Sequence, residues 1–104
     1  MLISRVYNNN SYYTKFRLPS FMYERYIIKW KPNHETIIHN HKSPCKYMLL
    51  KGKLKEIKYK DNQVINTKIL NILEENEIKD INIKHKVINM DNKLSFSYHV
   101  YNKI

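Results

Sequence analysis

Four histidines, a serine, a tyrosine and one cysteine could do chemistry if the fold brings them together. In an extended strand, residues i and i+2 share a face. In Ile37-Ile38-His39-Asn40-His41 one face therefore carries Ile37, His39 and His41. In Ile81-Asn82-Ile83-Lys84-His85-Lys86-Val87, His85 falls on the apolar face with Ile81, Ile83 and Val87, while Asn82, Lys84 and Lys86 point the other way. An imidazole pair at i and i+2, joined by a third imidazole from a distant strand, makes a compact three-nitrogen face. Such a face suits Fe, Zn, Cu or Ni and leaves positions open for a substrate. Residues 94–101 divide into Leu94, Phe96, Tyr98 and Val100 on one face and Ser95, Ser97, His99 and Tyr101 on the other. Taken singly, each of these has an ordinary explanation. An inward His85 is more often a hydrogen-bonded core residue than a ligand. His39-x-His41 is a short signal. Ser97, His99 and Tyr101 form a solvated strand face, and Cys45 is a small buried hydrophobe. His34 has no partner in the pattern and reads as exposed loop.

Positioning these side chains requires short strands with turns between them. Residues 21–30, 35–40, 45–50, 54–59, 64–73, 81–90 and 93–101 read as strands from their β-branched and aromatic content. Lys31-Pro32-Asn33, Lys42-Ser43-Pro44, Lys60-Asp61-Asn62 and Asp91-Asn92 read as turns. Lys51-Gly52-Lys53 reads as a hairpin turn that pairs the strands on either side of it. Asn8-Asn9-Asn10 and Glu74-Glu75-Asn76 read as loops, and Pro19-Ser20 as a break. Ile65, Ile69 and Ile72 also fit a helical period, but the neighbouring strands favour a strand there. Strands recurring at about 8–12 residues predict an all-β sandwich or barrel. The 104 residues make one domain, with residues 1–20 as an N-terminal segment and residues 21–104 as a β-barrel core.

Composition narrows the partners. The net charge is +10, from 19 Lys and Arg against 9 Asp and Glu. A polyanion partner is the first reading of such a balance. Only three of these cations are Arg, the residue that suits planar phosphate and guanine contacts, and the Lys are spread along the chain. Ile and Asn are abundant and Ala is absent, a composition that AT-rich codons produce whatever the function. A basic β-domain binding nucleic acid is therefore the weakest reading. No apolar run approaches the roughly 18 residues a membrane helix needs, and Met1-Leu2-Ile3-Ser4-Arg5 lacks the apolar stretch of a secretory signal. A soluble cytoplasmic protein with no membrane partner is expected. The single Cys45 excludes an internal disulfide and a Cys-only metal site.

Taken together, the candidate residues stop being independent. His39-x-His41, three residues, Cys45, six residues, Gly52 is the spacing of the first cupin motif, with Cys where Glu is usual. His85, three residues, Asn89 is the ending of the second motif. The Cys-for-Glu exchange resembles the type I cysteine dioxygenase family of thiol dioxygenases. Ser97-Tyr98-His99-Val100-Tyr101 resembles that family's Ser-x-His-x-Tyr relay. His85-Lys86-Val87-Ile88-Asn89 resembles its third-ligand segment, residues 45–56 resemble its central hairpin, and Trp30 also fits. Tyr13-Thr14-Lys15, with Arg17 two residues on, stands where the family has Tyr-x-Arg. Asn33 and Asn82 stand at usual glycine positions, and Asn tolerates positive φ next best.

The resemblance, which spans roughly residues 13–101, implies a cupin double-stranded β-helix, a jelly-roll barrel. It implies Fe(II), with another first-row metal as the alternative, held by His39, His41 and His85. Three neutral imidazoles would leave the metal's double charge uncompensated, which favours an anionic thiolate. The implied substrates are O2 and a small thiol such as cysteine, and the product is the sulfinic acid. Tyr101 would orient the substrate, backed by His99 and Ser97. Cys45 and Tyr101 match the family's thioether cross-link, and Tyr13 with Lys15 or Arg17 would hold the substrate carboxylate. The implied role is in cysteine metabolism, as a monomer. The rival reading is a diverged or non-catalytic metal-binding cupin, for which the short chain and the missing motif glycines speak.

Overall fold

The computed structural model describes residues 5–9, 13–20, 23–36, 38–39 and 44–102. Among them are nine strands and no helix: β1 (Arg5–Asn9), β2 (Tyr13–Leu18), β3 (Tyr23–Trp30), β4 (Cys45–Lys51), β5 (Leu54–Lys60), β6 (Gln63–Ile69), β7 (Glu75–Ile78), β8 (Lys84–Asn89) and β9 (Ser95–Asn102). They form two antiparallel sheets, one in the order β1-β2-β3-β9-β4-β7 and one in the order β6-β5-β8. The all-β jelly-roll architecture is therefore as the sequence implied.

Side-chain alternation builds the interior between the sheets. Tyr26, Ile28 and Trp30 of β3 point inward, as do Cys45, Tyr47 and Leu49 of β4, Leu54 of β5 and Val87 of β8. Ile65, Ile69 and Ile72 are 52%, 52% and 57% exposed, so their helical spacing serves no core. They belong to edge strand β6 and the loop after it.

Several local expectations are corrected. Lys51-Gly52-Lys53 does not close a hairpin: β4 lies in the larger sheet and β5 in the smaller, so the turn carries the chain across the sandwich. The hairpin is β5–β6, closed by Asp61 and Asn62 at φ 51° and 63°. Both are left-handed, as a type I′ turn requires. Residues 75 and 76, read as loop, begin β7, because Glu75 and Glu77 face outward to Lys46 while Asn76 and Ile78 turn inward. Asn8 and Asn9 lie in β1 and pair with β2; Asn10 is outside the described residues. Of the strand expected over 35–40, Ile37 and Asn40 lie outside the described residues, and the described part makes bridges Glu35↔Ile88 and His39↔His85 alongside β8. Ile81 is exposed in the turn before β8, so the inward face there begins later than the alternation suggested. Asn33 adopts φ 55°, whereas Asn82 stays out of the left-handed region in a turn capped by Asp80 Oδ1.

Asn89 fastens one end of the sandwich. Its amide donates to the carbonyls of Trp30, Lys31 and Lys93, and its Oδ1 accepts from Asp91 N and Ser95 Oγ. Ser95 Oγ also accepts from Lys53 N, next to Gly52. Gly52 has φ 98°, and a Cβ there would stand 2.0 Å from Ser95 Oγ and 2.9 Å from Ser95 Cα. Gly52→Ala combines a disfavoured φ with a backbone clash, so it is expected to destabilise the fold by about 2–4 kcal/mol. Urea denaturation checks this: the midpoint falls, and a midpoint unchanged from wild type contradicts the geometry.

Candidate functional site

Two of the candidate ligands are brought together by strand pairing. His39 N donates to His85 O at 2.9 Å, and His85 N donates to His39 O at 2.7 Å. Residues that exchange both backbone bonds sit directly opposite, with their side chains on one face. Their Nε2 atoms are accordingly 3.1 Å apart, with ring centroids 4.5 Å apart at 61°. Adjacent ligands bonded to a first-row ion at roughly 2.1 Å are separated by about 3 Å, so this pair fits two neighbouring coordination positions. His41 lies outside the described residues. Among the described residues, no group of three His, Cys, Asp or Glu could hold a metal ion.

Behind His85 stands a buried carboxylate. On the inner face of the smaller sheet, Glu56 and His85 are diagonal neighbours, because Glu56 pairs with Val87 in register. His85 Nδ1 is 2.9 Å from Glu56 Oε2. The Tyr47 hydroxyl, from the opposite sheet, donates to the same oxygen. Lys58 Nζ is 3.7 Å from Glu56 Oε1. Burial alone would push the Glu56 carboxyl up, but the hydrogen bonds from His85 and Tyr47 and the nearby Lys58 ammonium outweigh it and hold it below the usual carboxylate range. Tyr47 goes the other way: burial, then the Glu56 charge, raises its phenol well above 10 and keeps it a donor.

The polar row of β9 faces inward, not outward to solvent. Ser95, Ser97, His99 and Tyr101 are all buried. Trp30 Nε1 donates to Ser97 Oγ at 2.8 Å, and Ser97 Oγ is 2.7 Å from His99 Nε2. The Tyr47 ring stacks on His99 at 5.0 Å and 5°, which joins this row to the Glu56 cluster.

Cys45 and Tyr101 are direct cross-strand partners. The thiol hydrogen-bonds the Tyr101 side chain and lies 4.0 Å from His99 Nδ1. Burial raises the Tyr101 phenol well above 10, and Cys45 adds to the shift. Lys15 Nζ lies 4.1 Å from the Tyr26 ring centre and 5.1 Å from that of Tyr101. Burial lowers its pKa, against the pull of Cys45 and Glu24. Arg17, two residues on, is exposed. Tyr13 packs edge-on to Trp30 at 5.3 Å. His34 is exposed and bonded to Pro32 O.

The structure thus gathers His39, His85, Cys45, Ser97, His99, Tyr101 and Lys15 in one interior and leaves Arg17 outside. Sequence reasoning missed Tyr47 and Glu56 as members of it. One signal was present: Glu56 is the only acid between residues 36 and 60, and it shares its strand face with Leu54.

Comparison with known proteins bears on this interior. A family model described as cysteine dioxygenase type I matches residues 6–102. No curated protein matches the sequence as a relative. Solved structures with the same fold include AerE from Microcystis aeruginosa (15% identity, TM-score 0.82, covering 97% of this chain and 46% of that one). The Drosophila melanogaster CENP-C cupin domain is another (14%, 0.78, 97% and 75%). So is Fe(II)-HppE with an alternative substrate (10%, 0.74, 97% and 55%). The chain spans less than half of the AerE chain, and identities this low establish the fold alone. With these neighbours the jelly roll is a cupin.

Burial pushes the Cys45 thiol up to about 12, although Tyr101 and Lys15 pull it down. Alkylation requires the thiolate. Native protein treated with iodoacetamide is expected to remain unlabelled from pH 7 to 9 by mass spectrometry, with labelling rising only toward pH 12 or on unfolding. Ready labelling at pH 7.5 in folded protein contradicts this.

Proposed function

We propose, since the chain belongs to the cysteine dioxygenase type I family, that it is an iron-dependent thiol dioxygenase acting on a small carboxylate-bearing thiol such as cysteine. The observation that carries this reading is the 3.1 Å approach of the His39 and His85 Nε2 atoms in the interior that also holds Cys45, Tyr101 and Lys15. His41, two residues from His39, is the proposed third ligand. The reaction adds both atoms of O2 to sulfur: RSH + O2 gives RSO2H, with sulfur oxidised by four electrons and O2 reduced. Fe(II), when bound, supplies the binding of thiolate and O2 side by side and the electron transfer between them.

The remaining roles belong to the chain. Tyr101, protonated at neutral pH, donates a hydrogen bond to the reacting substrate, with Cys45 at its side and the Ser97–His99 pair packed next to it. The family's Cys–Tyr thioether, if formed, joins Cys45 to Tyr101, which face each other across β4 and β9. Lys15 rather than Arg17 receives the substrate carboxylate, because Lys15 is the cation beside Tyr101. A desolvated ammonium gains from an anion at that position. It is a point charge without the planar fork of Arg, so it tolerates variation in how the carboxylate is presented.

Fe(II)-loaded protein is expected to consume O2 with cysteine and to form the sulfinic acid, followed with an oxygen electrode and mass spectrometry. Tyr101→Phe slows turnover tenfold or more while metal content stays at the wild-type level. Iron-replete, folded protein that oxidises none of cysteine, 3-mercaptopropionate and cysteamine overturns the dioxygenase reading and leaves a non-catalytic metal-binding cupin.

Lys15 has its own expected signature. A charged hydrogen bond contributes about 1.5–3 kcal/mol. Lys15→Ala should therefore raise KM for cysteine and 3-mercaptopropionate by about tenfold or more, and leave KM for cysteamine, which lacks a carboxylate, nearly unchanged. Equal loss on all three thiols assigns Lys15 no part in carboxylate recognition.

A further inference from the structure

Glu56 is a buried carboxylate to which the proposed reaction gives no task. It is 1% exposed, on β5, facing the interior. Two donors converge on its Oε2: His85 Nδ1 at 2.9 Å and the Tyr47 hydroxyl. The other nitrogen of the same ring, His85 Nε2, faces His39 Nε2. Glu56 therefore sits on the side of the imidazole away from the proposed metal position and is not a ligand itself.

Stability alone does not account for this arrangement. Replacing a buried ion pair by apolar residues of similar volume is often neutral or stabilising. Leu or Met on β5 and Phe on β4 would fill the same space with no carboxylate to satisfy. What the carboxylate adds is direction: it accepts the Nδ1–H, which leaves the Nε2 lone pair aimed at His39. Tyr47 adds a second constraint from the opposite sheet. Its ring is itself fixed by stacking on His99 at 5.0 Å.

We infer that Glu56, held in place by the Tyr47 hydroxyl, is the positioning residue of metal ligand His85. This rests on the reading of His39 and His85 as metal ligands. Neither Tyr47 nor Glu56 is a defining position of the histidine motifs. A carboxylate behind a ligating imidazole fixes its tautomer and rotation and raises its basicity, and losing such a partner typically costs 10–100-fold in metal affinity. Tyr47 acts only through Glu56, so its removal has no effect once the carboxylate is gone.

The test uses Co(II) as the metal probe. Wild-type protein, Glu56→Gln, Tyr47→Phe, the double variant and the surface control Glu75→Gln are titrated with Co(II) against a competing chelator, and the visible spectrum of bound Co(II) is recorded. Glu56→Gln should weaken Co(II) binding by about 10–100-fold and shift the Co(II) bands. Tyr47→Phe, which keeps the ring stacked on His99, should weaken it by a smaller factor, and the double variant should match Glu56→Gln alone. Glu75→Gln should match wild type. Wild-type affinity and spectrum in Glu56→Gln overturn the inference. If Glu56→Gln fails to fold by circular dichroism, wild-type affinity and spectrum in Tyr47→Phe overturn it instead. Wild-type protein that binds no Co(II) overturns the metal-site reading itself, whereas binding that is identical in the folded variants overturns only the role of Glu56 and Tyr47.

Discussion

The interior depends on one carboxylate that has no access to water. An ionised group cannot be buried without partners, because its desolvation costs more than a few weak contacts return. Glu56 meets this with a ring nitrogen from β8, a phenol from β4 and the Lys58 ammonium from its own strand. Two of these lie in its own sheet and one in the sheet opposite. The requirement that all three reach one carboxyl sets how β4 faces β5 and how the His85 ring is turned. The turn at Gly52 is the covalent counterpart of the same constraint. It takes the chain from β4 to β5 in so few residues that the backbone passes against Ser95, where no side chain fits.

The same logic explains why β9 can present a polar face to the core. Ser95 and Ser97 have no exposed surface, and buried hydroxyls are tolerated only when bonded. Ser95 is bonded by Asn89 and Lys53 N, and Ser97 by Trp30 and His99. Large aromatic rings, Tyr26, Trp30, Tyr47 and Tyr101, then supply the apolar bulk around these small polar groups. The core is therefore mixed: apolar surface closes it, and hydrogen bonds decide the orientation of each ring inside it. A wholly aliphatic interior would be simpler to fill but would orient nothing.

What the sequence made legible follows from what is local. Strand alternation places His85 and Val87 on an inward face and sets Ser97, His99 and Tyr101 in one row, and the paired motifs carry the family and the fold. The solvated-face reading of Ser97, His99 and Tyr101 fails because both rows of β9 are covered. Phe96, Tyr98 and Val100 are themselves half-buried, and alternation alone does not say which row has the deeper cover. The supposed hairpin at Gly52 illustrates the limit: a tight turn between two strands reads the same whether they pair or part into different sheets. Asn76 and Ile78 in β7 were hidden by their acidic neighbours, whose outward Lys46 partner lies some thirty residues away. Tyr47 and Glu56 were hidden for the same reason. Tyr47 is unremarkable in its own strand, Glu56 shows there only as a lone acid on the face of Leu54, and only the sandwich makes them touch.

Charge gives the site its polarity. Cys45, Tyr47 and Tyr101 are all pushed upward, so at neutral pH each keeps its proton and carries no charge. Glu56, held low, keeps its negative charge beside His85. At the Tyr101 end, Lys15 is the cation, its ammonium over two phenol rings. The cysteine at position 45 contributes bulk and a weak hydrogen bond rather than charge, since its thiol stays protonated. In the first cupin motif that position is usually a carboxylate. Here the carboxylate stands instead on β5, on the Nδ1 side of His85, where it orients an imidazole without occupying the space in front of it. In the reaction we propose, that placement reserves the space in front of the imidazoles for the substrate sulfur, with the carboxylate of the same molecule turned toward Lys15.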